Sequence, residues 1–123
     1  MPSVAILGAS QDRAKFGNKA VRAFVAKGYT VYPVNPKEAE IEGLKAYRSI
    51  LDIPVAELDM VSVYLPPAVG LKVVDEVARK KVHELWLNPG SESPELIAKA
   101  EKLGLNVIPA CSIVGIGDSP GRY

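Results

Sequence analysis

The stretch Val4-Ala5-Ile6-Leu7-Gly8 decides the fold, together with Ala9-Ser10 after it and Gly17-Asn18 beyond a polar spacer. Four consecutive apolar residues closed by a glycine read as a strand covered on both faces. That is the pattern of a parallel sheet, not of a half-solvated antiparallel one. A helix is predicted from about Asn18 to Lys27, with Ala20, Val21, Phe24 and Val25 on one face and Gly28 as its stop. Strand, glycine turn and helix in that order open a doubly wound α/β arrangement.

The same alternation continues outward. Thr30 to Val34 is predicted as the second strand. Pro33 donates nothing to a ladder, so it fits only where the neighbour is short, and Leu44-Lys45-Ala46-Tyr47 is the candidate neighbour. Between them Glu38, Glu40 and Glu42 alternate with Ala39 and Ile41, which reads as a solvated loop. Ser49 to Leu51 reads as one helical turn. Met60 to Leu65 is a strand closed by Pro66-Pro67, and Ala68 to Lys81 is a helix with Leu71, Val74, Val77 and Ala78 on one face. Leu85 to Leu87 is a short strand. Ser93 caps a helix with Pro94 in its first turn, and Val107-Ile108 is the last strand. The tail, residues 113–123, has no period; it is read as flexible, as a cover for a ligand, or as a contact for a second subunit.

Crossovers between parallel strands are right-handed, so the economical assembly is one domain over residues 1–123. Its core is a doubly wound, mainly parallel five-stranded sheet with helices on both faces. Composition agrees: 123 residues carry 48% hydrophobic and 24% charged side chains. The net charge of +1 supplies no field for nucleic acid or a membrane surface. No apolar run approaches the roughly 20 residues of a membrane span. A soluble, cytoplasmic protein is expected. One cysteine (Cys111) and one histidine (His83) argue against a disulfide framework, a metal site or a catalytic relay.

In such sheets ligands bind at the carboxyl ends of the strands, where the strand order reverses. The first loop offers Gly8, Ala9 and Ser10, then Gly17 and Asn18 at a helix start, with Arg13 and Lys15 in reach of an anion. It lacks the second and third glycines of a dinucleotide fingerprint and the Gly-Lys-Ser/Thr of a P-loop. The second loop, Asn35-Pro36-Lys37, carries a cation where an NAD site carries an acid. That suits a ribose phosphate: NADP with its 2′-phosphate, or coenzyme A with its 3′-phosphate. Leu65-Pro66 and Asn88-Pro89-Gly90 offer rigid apolar surface and room for a passing chain. No loop carries the acid–base groups that hydride transfer recruits.

These residues carry a resemblance. Gly8-Ala9-Ser10, Val34-Asn35-Pro36-Lys37, Val63-Tyr64-Leu65-Pro66 and Trp86-Leu87-Asn88-Pro89-Gly90 together resemble the small stand-alone CoA-binding proteins. Those are similar to the N-terminal CoA-binding domain of the succinyl-CoA synthetase alpha subunit. The resemblance implies a Rossmann-like domain that binds coenzyme A or an acyl-CoA. It places the diphosphate at Gly8 to Ser10 and the helix after Gly17, the adenosine phosphate near Lys37, and the pantetheine arm past Pro66 and Asn88 to Gly90. By its place just beyond the last strand, Cys111 reads either as a small, partly buried residue or as a thiol facing that of the carrier. Ligase chemistry is not expected, because the synthetase's phosphohistidine domain has no counterpart within this sequence. Two other readings stay open: an NADP-binding reductase-like domain, and an interaction subunit of a larger complex.

Overall fold

The computed structural model describes residues 1–123. The chain runs β1 (Ser3–Leu7), α1 (Phe16–Ala26), β2 (Thr30–Val34), β3 (Glu40–Ile41), β4 (Leu44–Lys45), β5 (Glu57–Val63), α2 (Pro67–Ala78), β6 (Lys81–Leu87), α3 (Pro94–Lys102), β7 (Val107–Ile108) and α4 (Ser112–Gly115). Five strands form the main sheet in the order β2-β1-β5-β6-β7, and every neighbouring pair is parallel. The chain steps from β1 to β2 on one side, then crosses to β5 on the other. The reversal therefore lies at the carboxyl end of β1, where Gly8 begins the first loop.

The period of two in β1 divides the core. Val4 and Ile6 face a layer containing Ala20, Val21 and Phe24 of α1 and Ile113 of α4. Ala5 and Leu7 face Val74 and Val77 of α2 and Leu96 and Ala100 of α3. Each large apolar side chain fully buried this way contributes about 1.5–3 kcal/mol. Ser93 Oγ accepts from Leu96 N at 3.1 Å, so the predicted cap of α3 is in place.

Several boundaries differ from the sequence reading. Residues 40–45 are not a solvated loop: β3 and β4 pair antiparallel, with Ile41 fully buried. Their turn passes through Glu42 and Gly43, both at positive φ (51° and 76°). The Glu42 carboxylate accepts from Asn18 Nδ2 at 3.0 Å and pairs with Arg13 Nε at 3.4 Å, which holds this unusual backbone in place. Leu44 to Tyr47 is not a single neighbour of β2. Only Tyr47 bonds to that edge, donating to Pro33 O and accepting from Asn35 N, each at 2.9 Å. Pro33 thus sits where the missing N–H costs no ladder bond.

α1 begins at Phe16, two residues early, and α2 ends at Ala78. β6 starts at Lys81, so His83 lies within the strand and not before it. The tail is neither a cover over the sheet end nor a loose end. Arg22 donates to Tyr123 O at 3.3 Å and lies 5.5 Å from the Tyr123 ring, and Tyr123 Oη donates to Asp118 at 2.6 Å. That bond, reinforced by Ser119 N, holds the Asp118 carboxyl below its ordinary range. No helix is long and apolar enough to cross a membrane.

Candidate functional site

Two clefts open at the carboxyl edge of the sheet, one on each side of Gly8, and both are lined by Gly8 and Leu65. The first, about 310 Å³, runs between the end of β2 and α2. Leu7, Val34, Ile50, Leu65, Val69 and Val73 give it apolar walls, and Asn35, Pro36, Arg48, Ser49 and Glu76 complete it. The second, about 330 Å³, lies over the start of α1. Gly8, Lys15, Phe16 and Gly17 form one side of it, and Tyr64 to Pro67 with Pro89 to Ser91 form the other.

Close backbone packing builds the ridge between them. Gly8 has φ +88°, and a Cβ there would stand 2.4 Å from Tyr64 O. A Cβ on Gly17 would stand 2.1 Å from Gly8 O. Only glycine at both positions lets the first loop lie against the head of α1. The amides of Ala9, Phe16 and Gly17 find no acceptor within the protein. Ala9 is buried, but Phe16 and Gly17 line the second cleft at the positive end of α1, and their amides form a cradle suited to an anion. Lys15 lies beside it in the second cleft. Ser10 Oγ accepts from Asp12 N at 3.0 Å, which leaves its proton free to donate.

The loop is braced from behind. Asn35 Nδ2 donates to Ala9 O at 2.8 Å, while its Oδ1 accepts from the amides of Lys37 and Glu38. Asn18 is fully buried: its Nδ2 donates to Ser10 O at 2.9 Å and its Oδ1 accepts from Arg22 Nε at 2.7 Å. Gln11 Nε2 reaches Glu40 O at 2.8 Å. The β3–β4 hairpin is thus a buttress for the first loop.

Behind the second cleft lies a closed polar network. Asn88 Nδ2 donates to Ser62 Oγ and Val63 O, both at 2.8 Å, and its Oδ1 accepts from Ser112 N at 2.8 Å. The Ser62 and Ser112 hydroxyls are 2.7 Å apart, and Tyr64 Oη lies 3.2 Å from Ser112 Oγ. Burial pushes the Tyr64 phenol above its ordinary pKa, against the opposing pull of these hydroxyls, so it stays a neutral donor or acceptor.

The expected residues therefore divide. Gly8, Lys15, Gly17, Asn35, Pro36, Leu65, Pro66, Pro89 and Gly90 line the clefts. Ala9, Ser10, Asn18 and Asn88 line neither; Asn18 and Asn88 are buried, and their side chains are committed to the protein itself. The Asn18 and Asn88 side chains hold the site in shape and do not face it. Arg13 turns away to Glu42. Lys37 is exposed and lines neither cleft. Cys111 is half-buried against the core layer beneath α1 and lies outside both clefts. The sequence reading missed Arg48, Ser49, Val69, Val73 and Glu76. The last three fall at i, i+4 and i+7 of α2, a second stripe beside the core stripe, and that spacing was the available clue.

Comparison with known proteins shows what the chain resembles. The sequence pattern of a family described as a CoA binding domain matches residues 2–117. Acetate–CoA ligase (ADP-forming) I of Archaeoglobus fulgidus is 33% identical over 88% of the chain, and the chain spans 17% of that relative. The alpha subunit of acetate–CoA ligase (ADP-forming) I from Pyrococcus furiosus is 30% identical over 98% of the chain, which spans 29% of its length. Among solved structures, a conserved hypothetical protein of Pyrococcus furiosus superposes with a TM-score of 0.84 at 38% identity, covering 94% of this chain and 99% of its own. A dinucleotide-forming acetyl-coenzyme A synthetase of Ca. Korarchaeum cryptofilum gives 0.75 at 29% identity, covering 88% of this chain and 25% of the synthetase.

Proposed function

The chain belongs to the CoA-binding domain family, and from that premise we propose that it binds coenzyme A, free or acylated, along the carboxyl edge of its sheet and performs no ligase chemistry by itself. The observation that carries this reading is the pair of clefts meeting at Gly8. One is mostly apolar and of the size of a small-ligand pocket; the other runs over an anion cradle. A carrier made of a nucleoside, a diphosphate and a long neutral arm has the same sequence of chemistry. The first cleft takes the base, with the Glu76 carboxylate as an acceptor for an exocyclic amine. The amides of Phe16 and Gly17 and the Lys15 ammonium take the diphosphate. Pro66, Pro67, Pro89 and Gly90 guide the arm. Each charge-assisted bond is worth about 1.5–3 kcal/mol, which after association costs leaves affinity of micromolar order.

One feature supports binding over catalysis at this edge: neither cleft is lined by histidine or cysteine. The chain spans under a third of the length of the ligases it resembles. Thermal denaturation tests the ligand class. Coenzyme A at about one hundred times its Kd is expected to stabilise the protein by about 2.7 kcal/mol, seen as a rise in Tm of roughly 10 °C. NADP at the same concentration should leave Tm unchanged. A rise with NADP and none with coenzyme A would replace this reading with the reductase-like one.

A further inference from the structure

We infer that Arg48, and not Lys37, reads the phosphate on the carrier's ribose, and that this guanidinium makes the site selective for a 3′-phosphorylated nucleotide. The inference rests on the coenzyme A reading above and assigns within it a residue that the loop motifs did not mark.

The first cleft contains one cationic side chain, Arg48; Lys15 belongs to the second cleft. Lys37 is held at the backbone by the Asn35 turn, and its side chain lies outside both. Arg48 owes its position to the sheet. Tyr47 makes a parallel bridge to Val34, with Asn35 N donating to Tyr47 O at 2.9 Å. That bridge carries the next residue to the mouth of the cleft beside Asn35 and Pro36.

The guanidinium is also free. Arg48 makes no ion pair and no side-chain hydrogen bond, although the Glu76 carboxylate lines the same cleft. One oxygen of Glu76, Oε1, accepts from Ser49 Oγ within the cleft at 2.8 Å, which leaves the other for the base. An uncommitted guanidinium at the rim of an apolar nucleoside cleft matches a phosphate in charge and in bidentate geometry. The opposing carboxylate repels a phosphate bound deeper in the cleft. A phosphate therefore binds at the rim, where Arg48 stands, while the base occupies the interior.

Calorimetry with coenzyme A and dephospho-CoA tests this on the wild type, Arg48→Gln, Arg48→Lys and Lys37→Gln. The wild type should prefer coenzyme A by at least about tenfold, the equivalent of one charge-assisted contact. Arg48→Gln should bring the two ligands to within about threefold, by weakening coenzyme A alone. Arg48→Lys keeps the charge and loses the fork, so part of the preference should remain. Lys37→Gln should keep all of it. A preference retained in Arg48→Gln, lost in Lys37→Gln, or absent from the wild type overturns the assignment while the coenzyme A reading stands. A wild type that binds neither ligand overturns both.

Discussion

Gly17→Ala is expected to lose about 3 kcal/mol of stability and to weaken coenzyme A binding by roughly 100-fold. The added Cβ would stand 2.1 Å from Gly8 O, 3.0 Å from Gly8 C and 3.2 Å from Ala9 Cα. All three are backbone atoms, so no rotamer change relieves the clash. The loop and the head of α1 must separate, and the amides of Phe16 and Gly17 then no longer hold their place in the second cleft. Losing one to two charge-assisted bonds, at about 1.5–3 kcal/mol each, gives the binding estimate. Chemical denaturation and calorimetry measure the two effects. Gly28→Ala is the control: nothing lies within 4 Å of its added Cβ, and it is remote from both clefts. It should cost about 1 kcal/mol through its positive φ and leave binding intact. Equal affinities for Gly17→Ala and the wild type would show that the cradle does not hold the ligand.

Asn88→Leu should cost about 3 kcal/mol, or roughly 10 °C in Tm, although leucine fills a similar volume. The side chain is 1% exposed and makes three hydrogen bonds. Leucine removes all of them and leaves Ser112 N–H buried without its acceptor. That amide anchors the start of α4, so Cys111 should also react faster with a thiol reagent in the variant. Val63 O keeps only a long bond from Asn88 N at 3.4 Å. A Tm within about 2 °C of the wild type would contradict the network's structural role.

The legible parts of this fold were those where one physical signal acted alone. β1 and α1 announce themselves by an unbroken apolar run and a 3.6-residue stripe. The first half of β6 did not, because β7 is only two residues long and pairs at Leu85 and Trp86. Lys81 to Glu84 therefore has β5 on one side and no strand on the other, where polar side chains cost nothing. The β3–β4 hairpin was hidden by its turn. Glu42-Gly43 replaces the Asn-Gly or Asp-Gly that advertises two positive φ values, and the stabilising contacts of Glu42 come from Asn18 and Arg13, far away in sequence.

The site divides the same way. Glycines and prolines at strand ends were visible, since their backbone requirements are local. Asn18 and Asn88 were visible as polar residues at the right loops, yet their orientation depends on Ser10, Ser62 and Ser112, which sequence spacing does not relate. Arg48 reaches the first cleft only through the pairing of Tyr47 with Val34. That pairing is a tertiary event between segments with no motif linking them.

The central claim is that the backbone around Gly8 and Gly17 grips the diphosphate of the carrier. An amide NMR titration of the full chain with coenzyme A tests it most directly. The largest shift changes are predicted at Phe16, Gly17 and Gly90, with none at Asp59, His83 or Glu84 on the opposite edge of the sheet. Saturating changes confined to that opposite edge, or unchanged amides at Phe16 and Gly17 while the ligand is bound, would contradict it.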